Sequence, residues 1–467
     1  MATDGIILLE YSQLSRSCGV EILSFTDTVR GFSSVSIDSR TVEEGALFAA
    51  LSGSVQDGHS FVEAAFKNGA DAALVDRRKF ESYDLPRIAK SLGKTLIIAN
   101  DTLHSLQDTA RIYLKQFPQL LKIGITGSSG KTTTKEICAA IIGAEKNIIM
   151  NPGNYNSETG LPLSVFSVRA CHEAGIFEMG MNRPGEIAEL VSVLNPDIAL
   201  ITNVGAAHIG SIGSIEAIAK EKKNIFSRLD KKGIALIPED SPYRDMLGRE
   251  LSGRVAYYGE KSCVGFESAR SLGLNGSEIT YNGQKIHFAL PGMHNLANAL
   301  AAIAIANEVP VSTQAIVKGL ESVRPLFGRG EILNGRVTVV QDCYNSNPES
   351  AAMALDFCDS LDWQGRRIYV IGEMLELGEN SRPAHEELGL RLLASRADMV
   401  YLYGNGTGCA AEIMKNGTLP FMYTNDMDEL SHALDSYVRS GDMVLLKGSR
   451  GCALERLSAV LLPQGVN

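Results

Sequence analysis

Residues 122–137 read KIGITGSSGKTTTKEI: an apolar run, a loop of glycine and hydroxyl residues, a lysine, then three threonines. That order leaves few folds open. The apolar run has the character of a buried strand and the residues after Lys131 that of a helix, so the loop lies at a helix N-terminus, where N–H groups and the dipole favour an anion. Glycine backbones let phosphate approach closely. The stretch is therefore expected to hold a nucleoside triphosphate, with Gly127, Ser128, Ser129, Gly130, Lys131, Thr132 and Thr133 as its cradle. Lys131 would neutralise the outer phosphates and Thr132 would offer its hydroxyl to Mg²⁺. A standard phosphate-loop motif has glycine where this chain has Ile125, so the strict pattern is absent while its physics is kept. A glycine-rich turn that merely precedes a helix is the alternative.

The rest of the chain places that loop in an α/β protein. Its 467 residues suffice for several domains. "QFPQ" near Gln116 and "RPLFGRG" near Arg324 interrupt the regular patterns, which suggests domains of 1–119, 120–324 and 325–467. In the last, "VTVVQD", "RRIYVIGE", "DMVYLYG", "PFMYT" and "DMVLLKGS" alternate with helix-period stretches such as Pro348–Leu361 and Asp426–Val438. That is the pattern of a largely parallel sheet wrapped by helices. The middle segment repeats it with "LKIGIT", "GIFEM" and "IALITN", and the first is a smaller α/β unit.

Composition narrows the partners. With 54 acidic against 44 basic residues the formal charge is -10, which argues against a nucleic-acid binder held by phosphate neutralisation. No apolar run reaches the roughly 18 residues of a membrane span and the N-terminus lacks a secretory pattern, so a cytoplasmic protein is expected. Eight cysteines form no CxxC pair and read as buried thiols of a reducing compartment rather than a zinc or redox site.

Two further residues fall where an open parallel sheet binds ligands, beyond the carboxyl ends of its strands. Glu178 ends a strand in "FEMGMNRPGEI", and His208 follows one in "TNVGAAHIGSIGS". Carboxylate and imidazole suit a metal riding on phosphates, so Thr132, Glu178 and His208 could converge. A histidine satisfied within its own loop is the alternative.

"TGSSGKTTTKE", "NPGNYNSETGLP", "EMGMNRPGEI", "TNVGAAHIGSIGS", "HNLANALAA", "DCYNSNPES" and "KGSRG" occur here in an order and spacing that resembles the Mur ligase family. The likeness runs over essentially the whole chain, including "SIDSR" and "SGSVQDGHSF". It implies three domains: a small α/β domain binding a UDP-sugar, a central P-loop ATPase-like parallel-sheet domain and a C-terminal Rossmann-like domain. "DCYNSNPES" resembles the branch that adds D-alanyl-D-alanine to UDP-N-acetylmuramoyl-tripeptide in peptidoglycan synthesis. The resemblance implies ATP as co-substrate and two Mg²⁺ ions.

Carried over residue by residue, the resemblance puts Asp38, Ser39, Arg40, Asp57, Gly58 and His59 in the UDP-sugar region, although "DSR" and "DGH" are also common loop formers. It puts Asn154, Asn156 and Glu158 along the path of the sugar-peptide, with Ser157 where the family usually has a second asparagine. Asn295 and Asn298 would lie near adenine, unless their helix is only an alanine-rich core element. Arg329 and Asp342 match positions that close over the nucleotide. Lys447 and Arg450 could meet a peptide carboxylate or phosphate, solvated basic residues being the alternative. The family also carries a carbamylated lysine that helps hold the second metal, and alignment on "AIAKEKKNIF" puts it at Lys222. Lys220, Lys222 and Lys223 could equally be a solvated helix face, and Asn224 stands where glutamate is usual.

The implied chemistry is transfer of the γ-phosphoryl of ATP to a substrate carboxylate, then attack of a dipeptide amine on the acyl phosphate. Lys131, Glu178, His208 and Lys222 are the expected catalytic residues, and Thr132, Glu178, His208 and Lys222 the expected metal ligands. A monomer closing its C-terminal domain over the site is expected. The rivals are a sister such as folylpolyglutamate synthetase, which commonly has Gly-Lys-Gly in the loop, and a nucleotide switch without amide chemistry.

Overall fold

The computed structural model describes residues 7–53 and 56–462. The chain forms two compact units, one from residues up to 124 with 146–180 and 186–197, the other from 125–145, 181–185 and 198 onward.

The first unit holds a five-stranded sheet of β1 (Glu21–Ser24), β2 (Ser34–Ser36), β3 (Ala46–Ala49), β4 (Ala72–Asp76) and β5 (Thr95–Ala99) in the order β1-β5-β4-β3-β2. All pairs are parallel except β1 with β5. β3, β4 and β5 are buried along their whole length, which is why they read as unbroken apolar runs rather than alternating ones. Phe48, Val75 and Ile98 pack on α1 (Val62–Lys67) and α2 (Leu85–Leu92) through Val62, Phe66, Leu85 and Ala89. α3 (Thr102–Leu114) follows, capped by the Asp101 carboxylate accepting from the His104 N–H. This unit also contains most of β6 (Leu121–Thr126), followed by β7 (Ile148–Met150) and β8 (Ala174–Glu178), with β8 between β6 and β7.

In the second unit β9 (Ile198–Ile201), β10 (Ile234–Pro238) and β11 (Arg254–Tyr258) run parallel in the order β11-β10-β9. Out of the end of β6 come the phosphate loop and α4 (Lys131–Ile142), then α5 (Ile215–Lys223) after β9. One element absent from the expected pattern is an antiparallel sheet of β12 (Phe266–Ser271), β13 (Ser277–Tyr281) and β14 (Gln284–Phe288). Its signal was the Asn282–Gly283 pair, both with positive φ, the two-residue turn that matches strand twist. α6 (Met293–Ala306) and α7 (Thr313–Ser322) both pack against α4. α6 is buried almost all round, which its run of alanine and isoleucine allows.

The C-terminal sheet has the order β15-β16-β20-β17-β18-β19, from β15 (Glu331–Asn334), β16 (Thr338–Asp342), β17 (Arg367–Gly372), β18 (Met399–Tyr403), β19 (Phe421–Thr424) and β20 (Met443–Lys447). Only the edge strand β15 is antiparallel. Along β17 and β20 successive residues serve two cores: Tyr369, Ile371 and Leu445 face α8 (Pro348–Ser360) and α9 (Ser381–Leu393), while Ile368, Val370, Val444 and Leu446 face Leu430 and Leu434. This is the doubly wound α/β arrangement.

No described helix is long and apolar enough to cross a membrane. The expectation of buried thiols needs a correction. Cys138, Cys263, Cys343, Cys358 and Cys452 are buried, but Cys18 and Cys409 are half-buried and Cys171, in the loop before β8, is exposed.

Candidate functional site

The phosphate loop is shaped by residues far from it in sequence. Gly127 has φ 156° and Gly130 φ 79°, and a Cβ on either would collide, at Gly127 with the Thr202 hydroxyl and at Gly130 with the Asn298 amide oxygen. The Thr202 hydroxyl donates to the Ser129 carbonyl at 2.6 Å, the Ser129 N–H donates to the Asn203 amide oxygen at 2.9 Å, and the Gly205 N–H donates to Ser128 Oγ at 2.8 Å. Gly127→Ala is thus expected to add strain of about 1–3 kcal/mol, weakening nucleotide binding about tenfold or more in a fluorescent-nucleotide titration. α4 begins at Lys131, whose ammonium bonds the Gly127 carbonyl at 2.9 Å. Thr132 is buried one residue further on. The first-turn N–H groups of such a helix have no intrahelical acceptor and face the loop.

Asn295 and Asn298 are buried on the first turns of α6. Asn295 donates to the Pro291 carbonyl at 2.8 Å, and Asn298 donates to the Asn295 amide oxygen at 3.1 Å. The Thr134 hydroxyl donates to Asn298 Oδ1 at 3.4 Å. The pair ties α6 to α4 immediately behind Gly130.

Lys222, on the last turn of α5, is 1% exposed, so the solvated-face alternative does not hold for it. Lys220 does lie in solvent and pairs with Glu216 at 2.7 Å. Burial, reinforced by the charge of Lys131, pushes the Lys222 ammonium well below the ordinary lysine range, against the opposing pull of Glu221. Asn224 donates to Glu221 Oε2 at 3.2 Å, and the Gly185 N–H donates to the same oxygen at 2.9 Å.

His208 has φ 63° and begins a one-turn helix. Its Nδ1 lies 3.0 Å from Glu376 Oε2, and the hydrogen bond from His208 holds the Glu376 carboxyl below its ordinary range. Two other residues of the C-terminal segment reach the same region. Asn347, which caps α8 in a reciprocal capping box with Ser350, donates to Ser129 Oγ at 3.1 Å, and Glu349 Oε1 accepts from the Ala206 N–H at 2.7 Å. Both residues lie in "DCYNSNPES", of which Asp342 is the one residue that the motif reading singles out for the site. Asp342 ends β16, where Lys447 Nζ lies 3.2 Å from its carboxylate and donates to the Asn345 carbonyl at 2.6 Å. Lys447 is buried and is no solvated base. Arg450 is exposed, paired with Glu455 and stacked over Phe327. The Arg329 guanidinium lies 4.3 Å from the centre of the Tyr344 ring.

In the first unit Glu178 is buried at the end of β8, where Asn156 donates to its Oε1 at 2.7 Å and Asn151 bonds both its backbone N–H and its carbonyl. Asn154 is exposed, and its carbonyl accepts from the Asn156 N–H at 2.7 Å. Ser157 Oγ accepts from the Gly160 N–H at 3.2 Å, starting the next helix, and the Glu158 carbonyl accepts from Gln107. Further along, Asp38 and Arg40 form an exposed ion pair at 2.7 Å, and the Ser39 carbonyl accepts from Asn68. The Gly58 N–H donates to the Leu51 carbonyl at 2.8 Å. His59 is buried with both ring nitrogens engaged: Nδ1 donates to Asp57 at 2.7 Å, Nε2 accepts from the Asp76 N–H at 2.8 Å. Asp57 also accepts from Lys79 and Tyr83. Burial raises the Asp57 pKa, but these donors together outweigh it and hold the carboxyl well below its ordinary range.

A strand-end glycine loop on α4, fastened by Thr202, Asn203 and Gly205 and met by Asn347 ahead of α8, is the arrangement of a nucleotide-binding α/β protein. Family models match the chain in three stretches: "Mur ligase family, catalytic domain" over 31–109, "Mur ligase middle domain" over 125–306, and "Mur ligase, glutamate ligase domain" over 328–450. The chain belongs to the Mur ligase family. UDP-N-acetylmuramoyl-tripeptide–D-alanyl-D-alanine ligase of Treponema pallidum (strain Nichols) is 43% identical to it over 92% of this chain and 94% of the relative. The crystal structure of MurF from Acinetobacter baumannii superposes with a TM-score of 0.87 at 28% identity, covering 97% of this chain and 98% of that one. MurF ligase from Thermotoga maritima in complex with ADP gives 0.78 at 28% identity, over 91% and 96%. The three-domain α/β fold expected from the motifs is the fold of these relatives.

Proposed function

We propose that this chain joins D-alanyl-D-alanine to UDP-N-acetylmuramoyl-tripeptide at the cost of ATP, forming an amide through an acyl phosphate. The observation that carries this is the 43% identity, over nearly its whole length, to a ligase of that name, and the phosphate-loop geometry supports it. The enzyme acts as a cytoplasmic monomer with domains 1–119, 120–324 and 325–467.

A carboxylate resists amines because oxide would have to leave; phosphorylation supplies phosphate as the leaving group instead. Gly127 to Thr133 cradle the β- and γ-phosphates against the N-terminus of α4, and the Lys131 ammonium leaves the Gly127 carbonyl for the outer phosphate. Asn295 and Asn298 set the adenine side, and Arg329 and Asp342 close over the nucleotide from the C-terminal domain. Asp38, Ser39, Arg40, Asp57, Gly58 and His59 shape the UDP-sugar site, where the committed nitrogens of His59 make it a scaffold for its loop. Asn154, Asn156 and Glu158 line the sugar-peptide path, and Lys447 and Arg450 stand at the dipeptide side.

Among the described residues no three His, Cys, Asp or Glu side chains gather into a metal site by themselves. That sparseness fits Mg²⁺, which keeps waters and takes one or two protein ligands while resting mainly on substrate phosphates. Thr132, Glu178, His208 and a carbamylated Lys222 would hold two such ions, which when bound neutralise the charge crowding between nucleotide and carboxylate.

A coupled ADP-release assay tests the reading, with D-alanyl-D-alanine offered against UDP-muramoyl-tripeptides carrying diaminopimelate, lysine or ornithine. ADP is expected only when both co-substrates are present. Steady release without the dipeptide would favour a nucleotide switch instead.

A further inference from the structure

We infer that Glu376 is a positioning residue that orients His208, so that the phosphoryl-transfer geometry depends on the contact between segments 208–210 and 376–378. The inference rests on the ligase reaction proposed above and adds a residue to it.

His208 and Glu376 face each other with Nδ1 to Oε2 at 3.0 Å, and both have left-handed backbones, φ 63° and 66°. Non-glycine residues rarely adopt that conformation, and where they do the surrounding structure must impose it, most often at functional sites. Here the imposing contact is visible. Ile209 packs on the core that α8 and α9 share, and a Cβ on Gly210 would fall 2.5 Å from the Gly378 nitrogen and 2.7 Å from the Leu377 carbonyl carbon. Segments 208–210 and 376–378 therefore meet backbone to backbone. Glu349 and Asn347 fasten the neighbouring Ala206 and Ser129 from the same side.

The chemistry follows from the donor inventory. An ionised carboxylate only accepts, so Nδ1 of His208 carries the proton and Nε2 is the nitrogen left for a ligand. A histidine that binds metal is ordinarily held this way, by a carboxylate on its other nitrogen. What differs here is that the carboxylate comes from the loop after β17, well over a hundred residues along the chain from the histidine. The Glu376 side chain is 63% exposed, so the pair adds little to stability; its effect is on orientation.

Three proteins test this: the full chain, Glu376→Ala and Glu376→Gln. Removing such a partner costs about 10- to 100-fold, here expected in kcat, while the KM for ATP stays within about twofold because ground-state binding is untouched. Glu376→Gln should keep most of the activity, since its amide oxygen can still accept from Nδ1–H. Long-range ¹H–¹⁵N spectra of histidine-labelled protein, assigned with His208→Asn, should show His208 in the Nδ1–H form in the full chain and not in Glu376→Ala. The sole tryptophan, Trp363, lines a crevice opposite Gly273 and Leu274, and its unchanged fluorescence will show that the variants fold. Unchanged kcat in Glu376→Ala, or an Nδ1–H tautomer that persists without Glu376, overturns the inference. If the full chain forms no amide, the ligase reading fails, while the spectra still decide the pair.

Discussion

Lys131→Ala is expected to lower turnover roughly 10³-fold, the scale on which a single charge-stabilising donor acts in a dry site. The loss should fall on ADP release with both co-substrates present and leave the thermal unfolding profile nearly unchanged. The ammonium bonds the carbonyls of Gly127 and Ser128, while the loop's shape is set by Thr202, Asn203, Gly205 and Asn298. Lys131→Arg is not a conservative rescue, because a broad planar fork replaces a compact charge. A Lys131→Ala protein turning over at near the normal rate would remove the nucleotide role of the loop.

Lys222→Ala is expected to be almost as severe, about 10²-fold or more, with a diagnostic recovery. Only the neutral amine adds to CO₂, forming the N–C bond of a carbamate and releasing one proton. A lysine buried on α5 and pressed further by Lys131 is held toward that neutral form. Carbamylation would then set a negative charge beside the Lys131 ammonium in a low-dielectric interior, which favours the modified state. Formate or acetate should partly restore Lys222→Ala in a saturable way by placing a carboxylate in the vacated space. Full activity without added acid would rule the carbamate out. Because the two lysines interact, the double variant should lose less than the product of the single losses.

The parallel sheets were legible because strands covered on both faces leave continuous apolar signatures, as in Ile368–Ile371 with its two cores. The phosphate loop was legible because its requirements are local: glycine for approach, a helix start for the dipole, a lysine for charge. Lys222 could be placed only by its neighbours in a family pattern, since burial of one lysine among three follows from packing of α5 and not from the run "KEKK" itself. Asn347, Glu349 and Glu376 went unread for a related reason. Each meets a partner well over a hundred residues away, and a contact between distant loops leaves no periodicity. His59 shows the reverse case: its motif was visible, but the double engagement of its ring depends on Asp76, a strand away.

The supports of residues 127–131 come from Thr202 to Gly205, from Asn298 and from Asn347, so this loop is not a portable cassette. Grafted between the strand and helix of another protein it would carry its side chains but lose its curvature. During synthesis, too, it must wait: a chain released only as far as α4 holds the right letters and none of the braces, and ATP affinity should emerge only after α6 has left the ribosome and docked.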